Sequence, residues 1–130
     1  MARTKKMVMV FGSNEAGVHG AGAAKFAKEN HGAKLGMSYG HIGNSFAIPT
    51  KDEFINTLDI NMINAYVCGF LAYAKGHRKV LFQVTRIGCG LAGFKDKDIA
   101  PLFEGASKNC YFDLEWEPYL GDGYNYWGTM

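Results

Sequence analysis

Residues 7–11 form a short unbroken apolar run ending in Gly12, Ser13 and Asn14, the pattern of a buried strand that feeds a loop. Beyond a glycine-rich stretch, residues 23–30 carry Ala, Phe and Lys at helical spacing and stop at His31 and Gly32, where glycine can close a helix. Residues 34–44 are glycine-rich and aperiodic. Residues 45–49 then read as a second short strand closed by Pro49, with Thr50, Lys51 and Asp52 at its exit. Ile60, Ile63, Val67, Phe70, Leu71 and Ala74 recur at steps of three and four, which predicts the longest helix over 60–75, ended by Gly76. The run 79–85, rich in apolar and β-branched residues, predicts a buried strand leading straight into a second glycine loop at 86–94. Residues 96–107 follow as a helix with Pro101 near its first turn, and 110–114 as a last strand.

Strand, glycine loop and helix thus occur twice, and no linker or charge block divides the chain. The prediction is a single α/β domain over 1–116, a mixed and mostly parallel sheet between helices. Residues 117–130 hold Tyr119, Tyr124, Tyr126 and Trp127 spaced without period, so this tail is expected as irregular structure packed on or near the domain.

Composition narrows the function classes. At 130 residues and 48% hydrophobic content the chain suits one domain with a sizeable core. A formal charge of +2 is too mild to demand a polyanionic partner. Cys68, Cys89 and Cys110 contain no C-x-x-C pair, which argues against a disulfide framework and a zinc site and predicts reduced thiols, no metal and no cofactor. The basic head Arg3, Lys5 and Lys6 precedes an apolar run too short for a signal peptide, and nothing approaches a membrane span, so a cytoplasmic protein is expected. The 17 glycines stand out, and seven of them, at 12, 17, 20, 22, 88, 90 and 93, fall in the two loops.

A glycine loop between a strand and a helix presents backbone N–H groups, and the helix dipole adds positive potential, so it can hold an anion without a basic side chain. Gly88, Gly90 and Gly93 match G-x-G-x-x-G in the right context, and Asp113 lies where a ribose-binding acid would sit in a Rossmann-type dinucleotide fold, which is one reading. The first loop, from Gly12 to Gly22, adds a second anion cradle, and two such loops suit a diphosphate flanked by sugars. Gly17 and Gly22 have the Walker A spacing, but Ala23 and Ala24 stand where Lys and Ser or Thr are required, which excludes that chemistry.

The segments HGAGAAKFAKENHG, AIPTKD at 47–52 and TRIGCGLAGF at 85–94 resemble macro domains, in the right order over about residues 8–114. The nearest class contains the terminal ADP-ribose glycohydrolases and the antitoxin macro domain that removes ADP-ribose from DNA. The resemblance implies a three-layer macro-domain-like fold and an ADP-ribose ligand, free or carried by a substrate, with nucleic acid involved only as such a modified substrate. It implies that Asn14 holds the distal ribose. Ser13, Gly20, Ala21, Gly22, Ala23, Ile87, Gly88, Cys89, Gly90, Leu91, Ala92 and Gly93 would surround the diphosphate, and Phe94 would pack on the ligand. Lys51 would be the nucleophile toward the anomeric carbon, a role open to a lysine whose amine is partly free. His19, inside the first loop, would act on the ribose or donate to a phosphate.

One departure matters. The class places an acid after Gly-Cys-Gly-Leu, and here that position is Ala92. Asp52, Asp96, Asp98 and His19 are the candidate substitutes. The aspartate that many macro domains use for the adenine amine has no counterpart among the matching segments. Three readings follow: an ADP-ribosyl hydrolase using Lys51, a non-catalytic ADP-ribose-binding module, and the Rossmann-type NAD(P) domain.

Overall fold

A computed structural model describes residues 7–19 and 22–130. Strand β1 (Val8–Asn14) lies inside a six-stranded sheet with β2 (Gly40–Ile42), β3 (Ser45–Lys51), β4 (Phe82–Val84), β5 (Cys110–Asp113) and β6 (Asn125–Gly128). The order is β2-β3-β1-β4-β5-β6. Only β2 runs antiparallel to its neighbour, and every other pairing is parallel. Helices α1 (Gly22–Asn30), α2 (Ile60–Gly76), α3 (Asp96–Ile99) and α4 (Glu117–Leu120) complete the chain, with single 3₁₀ turns at Ala100–Phe103 and Leu114–Trp116.

Alternation along β1 divides the core in two. Val8 and Val10 join Phe46, Ile48, Phe82, Val84 and Phe112 beneath Ile63, Val67, Phe70 and Ala74 of α2, and this is the larger core. Met9 and Phe11 face the other way, onto a smaller cluster with Ala27 of α1, Ala33, Met37 and Ala47. The periodic positions of α2 are its buried ones, and Asp59 caps it by accepting the Asn61 N–H at 2.8 Å. The predicted helix over 96–107 is only one α-turn, because Pro101 tightens the continuation into a 3₁₀ turn.

The sheet extends further than expected at both edges. The aperiodic segment before Ser45 supplies β2, a hairpin partner of β3 turned through Gly43 at φ 58°. The tail is not irregular: residues 117–120 are helical and 125–128 pair with β5, while the indole of Trp127 donates to the Val84 carbonyl at 2.9 Å. Among the described residues no helix is long and apolar enough to cross a membrane.

The far end of α2 is closed by a residue with no sequence signal. Buried Asn109 donates its amide to the carbonyls of Ala74, His77 and Val80 at 2.9–3.1 Å, and its own carbonyl accepts from Ser107. Asn109→Ala leaves those carbonyls without their donor, so urea unfolding should show a loss of about 1–3 kcal/mol with an unchanged m-value.

Candidate active site

Strands β3 and β4 flank β1 on opposite sides, and the chain reaches them over opposite faces of the sheet, by way of α1 and α2. The carboxyl end of β1 is therefore the point where the strand order reverses, the usual place for a crevice in an open parallel sheet. A cavity of about 830 Å³ opens there, large enough for a dinucleotide-sized ligand.

Its floor is the ends of three strands: Gly12, Ser13 and Asn14 from β1, Thr50 and Lys51 from β3, and Thr85 just beyond β4. The ladder between β1 and β3 is irregular at this end. Ser13 pairs with Pro49 but Asn14 pairs with Lys51, so Thr50 is an extra residue in the ladder. Such a bulge re-aims the side chains next to it. Thr50 Oγ1 donates to the Ser13 carbonyl at 3.3 Å, and the Glu15 N–H donates to the Lys51 carbonyl at 2.9 Å, which fixes the lysine backbone on both sides of the distortion.

Two sources of uncompensated N–H groups face this floor. Helix α1 begins at the cavity with Ala23 and Ala24 in its wall, and its first turn carries no acidic residue to neutralise the dipole. Across from it, the 86–94 loop folds on itself: Cys89 donates to Arg86, Gly93 to Gly90 and Phe94 to Gly88. Gly88 sits at φ 77°, so a side chain there would strain the backbone. The N–H groups of Gly88, Gly90, Leu91 and Ala92 have no acceptor among the described residues, and all four residues line the cavity. This is an anion cradle built from backbone.

Lys51 and Arg86 are the charged side chains in the wall, and among the described lining residues there is no Asp, Glu or His. Arg86 is fixed by a two-pronged pair with Asp96, at 2.9 and 2.6 Å, and the buried Trp116 indole donates to the same carboxylate at 2.7 Å. The guanidinium holds the Asp96 carboxyl below its ordinary pKa, with the indole adding to the effect against the opposing pull of burial. The ionised form of Asp96 is thereby favoured, and its oxygens are engaged in anchoring Arg86. Asp52 is occupied as well, accepting the N–H groups of Phe54 and Asn56 at 2.8 and 2.9 Å to shape its own loop. Asp98 is exposed on α3 and outside the wall.

Of the residues expected at the ligand, Ser13, Asn14, Ala23, Lys51, Ile87, Gly88, Cys89, Gly90, Leu91 and Ala92 do line one cavity. Gly20 and Ala21 lie outside the described residues, and Gly22 opens α1. Several expectations change. His19 is buried, its ring edge-on to Phe11 at 5.3 Å and its Nε2 at 2.8 Å from the Met37 carbonyl, so it belongs to the smaller core and not to the wall. Phe94 packs against the larger core, and Gly93 serves the turn, so neither reaches the cavity. Asn14 lines the cavity, but its amide both donates to and accepts from the Val18 backbone, at 2.8 and 3.0 Å, which makes it a brace of the first loop. Asp113, the acid of the Rossmann-type reading, is fully buried and accepts from the N–H groups of Glu115 and Met130. Burial pushes the Cys89 thiol up to about 12, and it donates weakly to the Ile87 carbonyl. Residues that sequence reasoning did not single out are Arg86, Thr85 and the apolar lining of Val18, Phe26, Ile55 and Met130. Arg86 stood inside the glycine-loop motif, but its orientation depends on Asp96 and Trp116.

No family model and no curated protein matches the sequence. Among solved structures the chain is similar to the macrodomain of Mycobacterium tuberculosis DarG, with a TM-score of 0.57 and 16% identity over 77% of this chain and 83% of that one. It is also similar to Thermosipho africanus DarTG in complex with ADP-ribose, with a TM-score of 0.59 and 19% identity over 85% of this chain, which spans 39% of that longer one. Such identities speak for architecture, and the architecture of this chain is that of a macro domain, close in fold to the one in DarG.

Proposed function

We propose that this protein binds ADP-ribose and hydrolyses an ADP-ribosyl linkage with Lys51 as nucleophile. The observation that carries the reading is that Lys51, at the bulged exit of β3, lines the same cavity as the free N–H groups of the 86–94 loop. A diphosphate held by the N–H groups of α1 and the 86–94 loop, with Arg86 beside it, leaves the distal ribose toward the end of β3. The occurrence of ADP-ribose in the Thermosipho africanus DarTG structure supports the choice of ligand.

In the reaction the free amine of Lys51 attacks the anomeric carbon, and the bond from that carbon to the carrier atom breaks. The carrier leaves with the electron pair and takes up a proton. Water then attacks the same carbon, the bond to lysine breaks, and ADP-ribose and the free lysine result. Both proton transfers pass through solvent, because the described wall offers no carboxylate or imidazole. That same feature favours a second reading, a non-catalytic module that sequesters the ligand.

Two measurements separate the readings. Lys51→Ala should lower release of ADP-ribose from an ADP-ribosylated substrate by about 100-fold or more while calorimetric affinity for free ADP-ribose stays within about threefold. Equal release from both proteins removes the lysine mechanism, and absence of any turnover in the parent protein leaves the sequestering module. Ala92→Asp places a carboxylate in the wall and should raise kcat by about tenfold or more, since a positioned acid or base contributes about 10²–10⁴. An unchanged kcat in that variant would mean that proton transfer does not limit the reaction.

A further inference from the structure

Among the described residues Ile55 is the one residue other than glycine with a positive φ, at 67°. A β-branched side chain fits that left-handed region poorly, and glycine or asparagine is its usual occupant. Such a conformation persists only where the surroundings hold it in place. Around Ile55 the hold comes from Asp52. Its carboxylate accepts the N–H groups of Phe54 and Asn56, its carbonyl accepts that of Ile55 at 3.1 Å, and its own N–H donates to the Asn56 carbonyl at 2.7 Å. Past the turn, Thr57 forms an antiparallel bridge to Lys51, and Leu58 donates to the Thr50 carbonyl at 2.9 Å. The Thr57 hydroxyl then reaches the Ala92 carbonyl in the second glycine loop.

Core packing does not account for this conformation. Ile55 is 47% exposed and belongs to neither core cluster, yet it lines the cavity together with Lys51. The loop that carries it folds back on the strand end of Lys51 and is tied across to the 86–94 loop, so the strained residue is fixed relative to both walls. Backbone strain held by a dense local network is characteristic of ligand clamps.

From this placement we infer that Ile55 is a ligand-contact residue, kept in an unfavourable backbone conformation so that its side chain packs on the ribose at the Lys51 end of the cavity. The inference rests on the proposed ADP-ribose site and adds to it a residue that sets affinity. An aliphatic side chain suits the C–H face of a sugar ring, and because the loop is held before the ligand arrives, little ordering accompanies the contact.

Ile55→Gly and Ile55→Asn both relieve the backbone and remove the apolar surface, the asparagine without the flexibility of glycine. Each variant should raise the urea midpoint of the free protein and lower calorimetric affinity for ADP-ribose by about tenfold, while affinity for ADP, which lacks that ribose, changes by no more than about threefold. A lowered urea midpoint in both variants overturns the stored strain. Affinity for ADP-ribose within about threefold of the parent overturns the contact, and so does an equal loss for ADP or a loss confined to the glycine variant. In all of these cases the parent still binds ADP-ribose and the proposed ligand stands, whereas failure of the parent to bind it removes both.

Discussion

Two right-handed crossovers that run in opposite directions along a parallel sheet must lie on its opposite faces. Strand β1 has β3 on one side and β4 on the other, so the chain returns over one face through α1 and over the opposite face through α2. The two connections part at the carboxyl end of β1 and leave an opening there that no side chain has to create. Buried Val8, Met9, Val10 and Phe11 hold that strand between the two cores, and the opening is as rigid as they are. Every feature of the site, from the start of α1 to the end of β3, is placed relative to this one strand.

Around that opening the free donors belong to the backbone, and side chains act as braces. Asn14 holds the first loop by gripping Val18, and the hydroxyl of Thr57 donates to the Ala92 carbonyl at 3.1 Å, tying the loop beyond β3 to the second glycine loop. Arg86 is oriented by Asp96, and Asp96 by the buried Trp116. Backbone donors need little reorganisation when an anion arrives, provided that the loops carrying them are already fixed. The network of braces supplies that condition. It also explains why so few side chains remain to address the rest of a ligand.

The parts legible in the sequence were those with local causes. The apolar run before Gly12, the three-and-four spacing of α2 and the glycines at 88, 90 and 93 each reflect a neighbourhood of a few residues, and they appear where the pattern put them. The parts not legible depend on partners far along the chain. His19 looked like a loop residue free to meet a ligand, but Phe11 and Met37 draw it into the core. Asp113 looked like a ribose acid and instead secures the N–H of Met130, 17 residues on. The tail showed no strand period because β6 is half-buried along its whole length, with β5 on one edge only. The bulge at Thr50 is a property of two paired strands and has no signature in either alone.

At that bulge Lys51 shares the cavity with backbone donors and a second cation, Arg86, in a wall that offers no carboxylate among the described residues. In the proposed reaction positive charge develops on the attacking nitrogen once the carbon–nitrogen bond forms, and a diphosphate held by the backbone donors brings negative charge into the same cavity only when the ligand is present. On that reading the substrate itself completes the electrostatics of the site, which favours diphosphate-bearing substrates before any contact with the base is made.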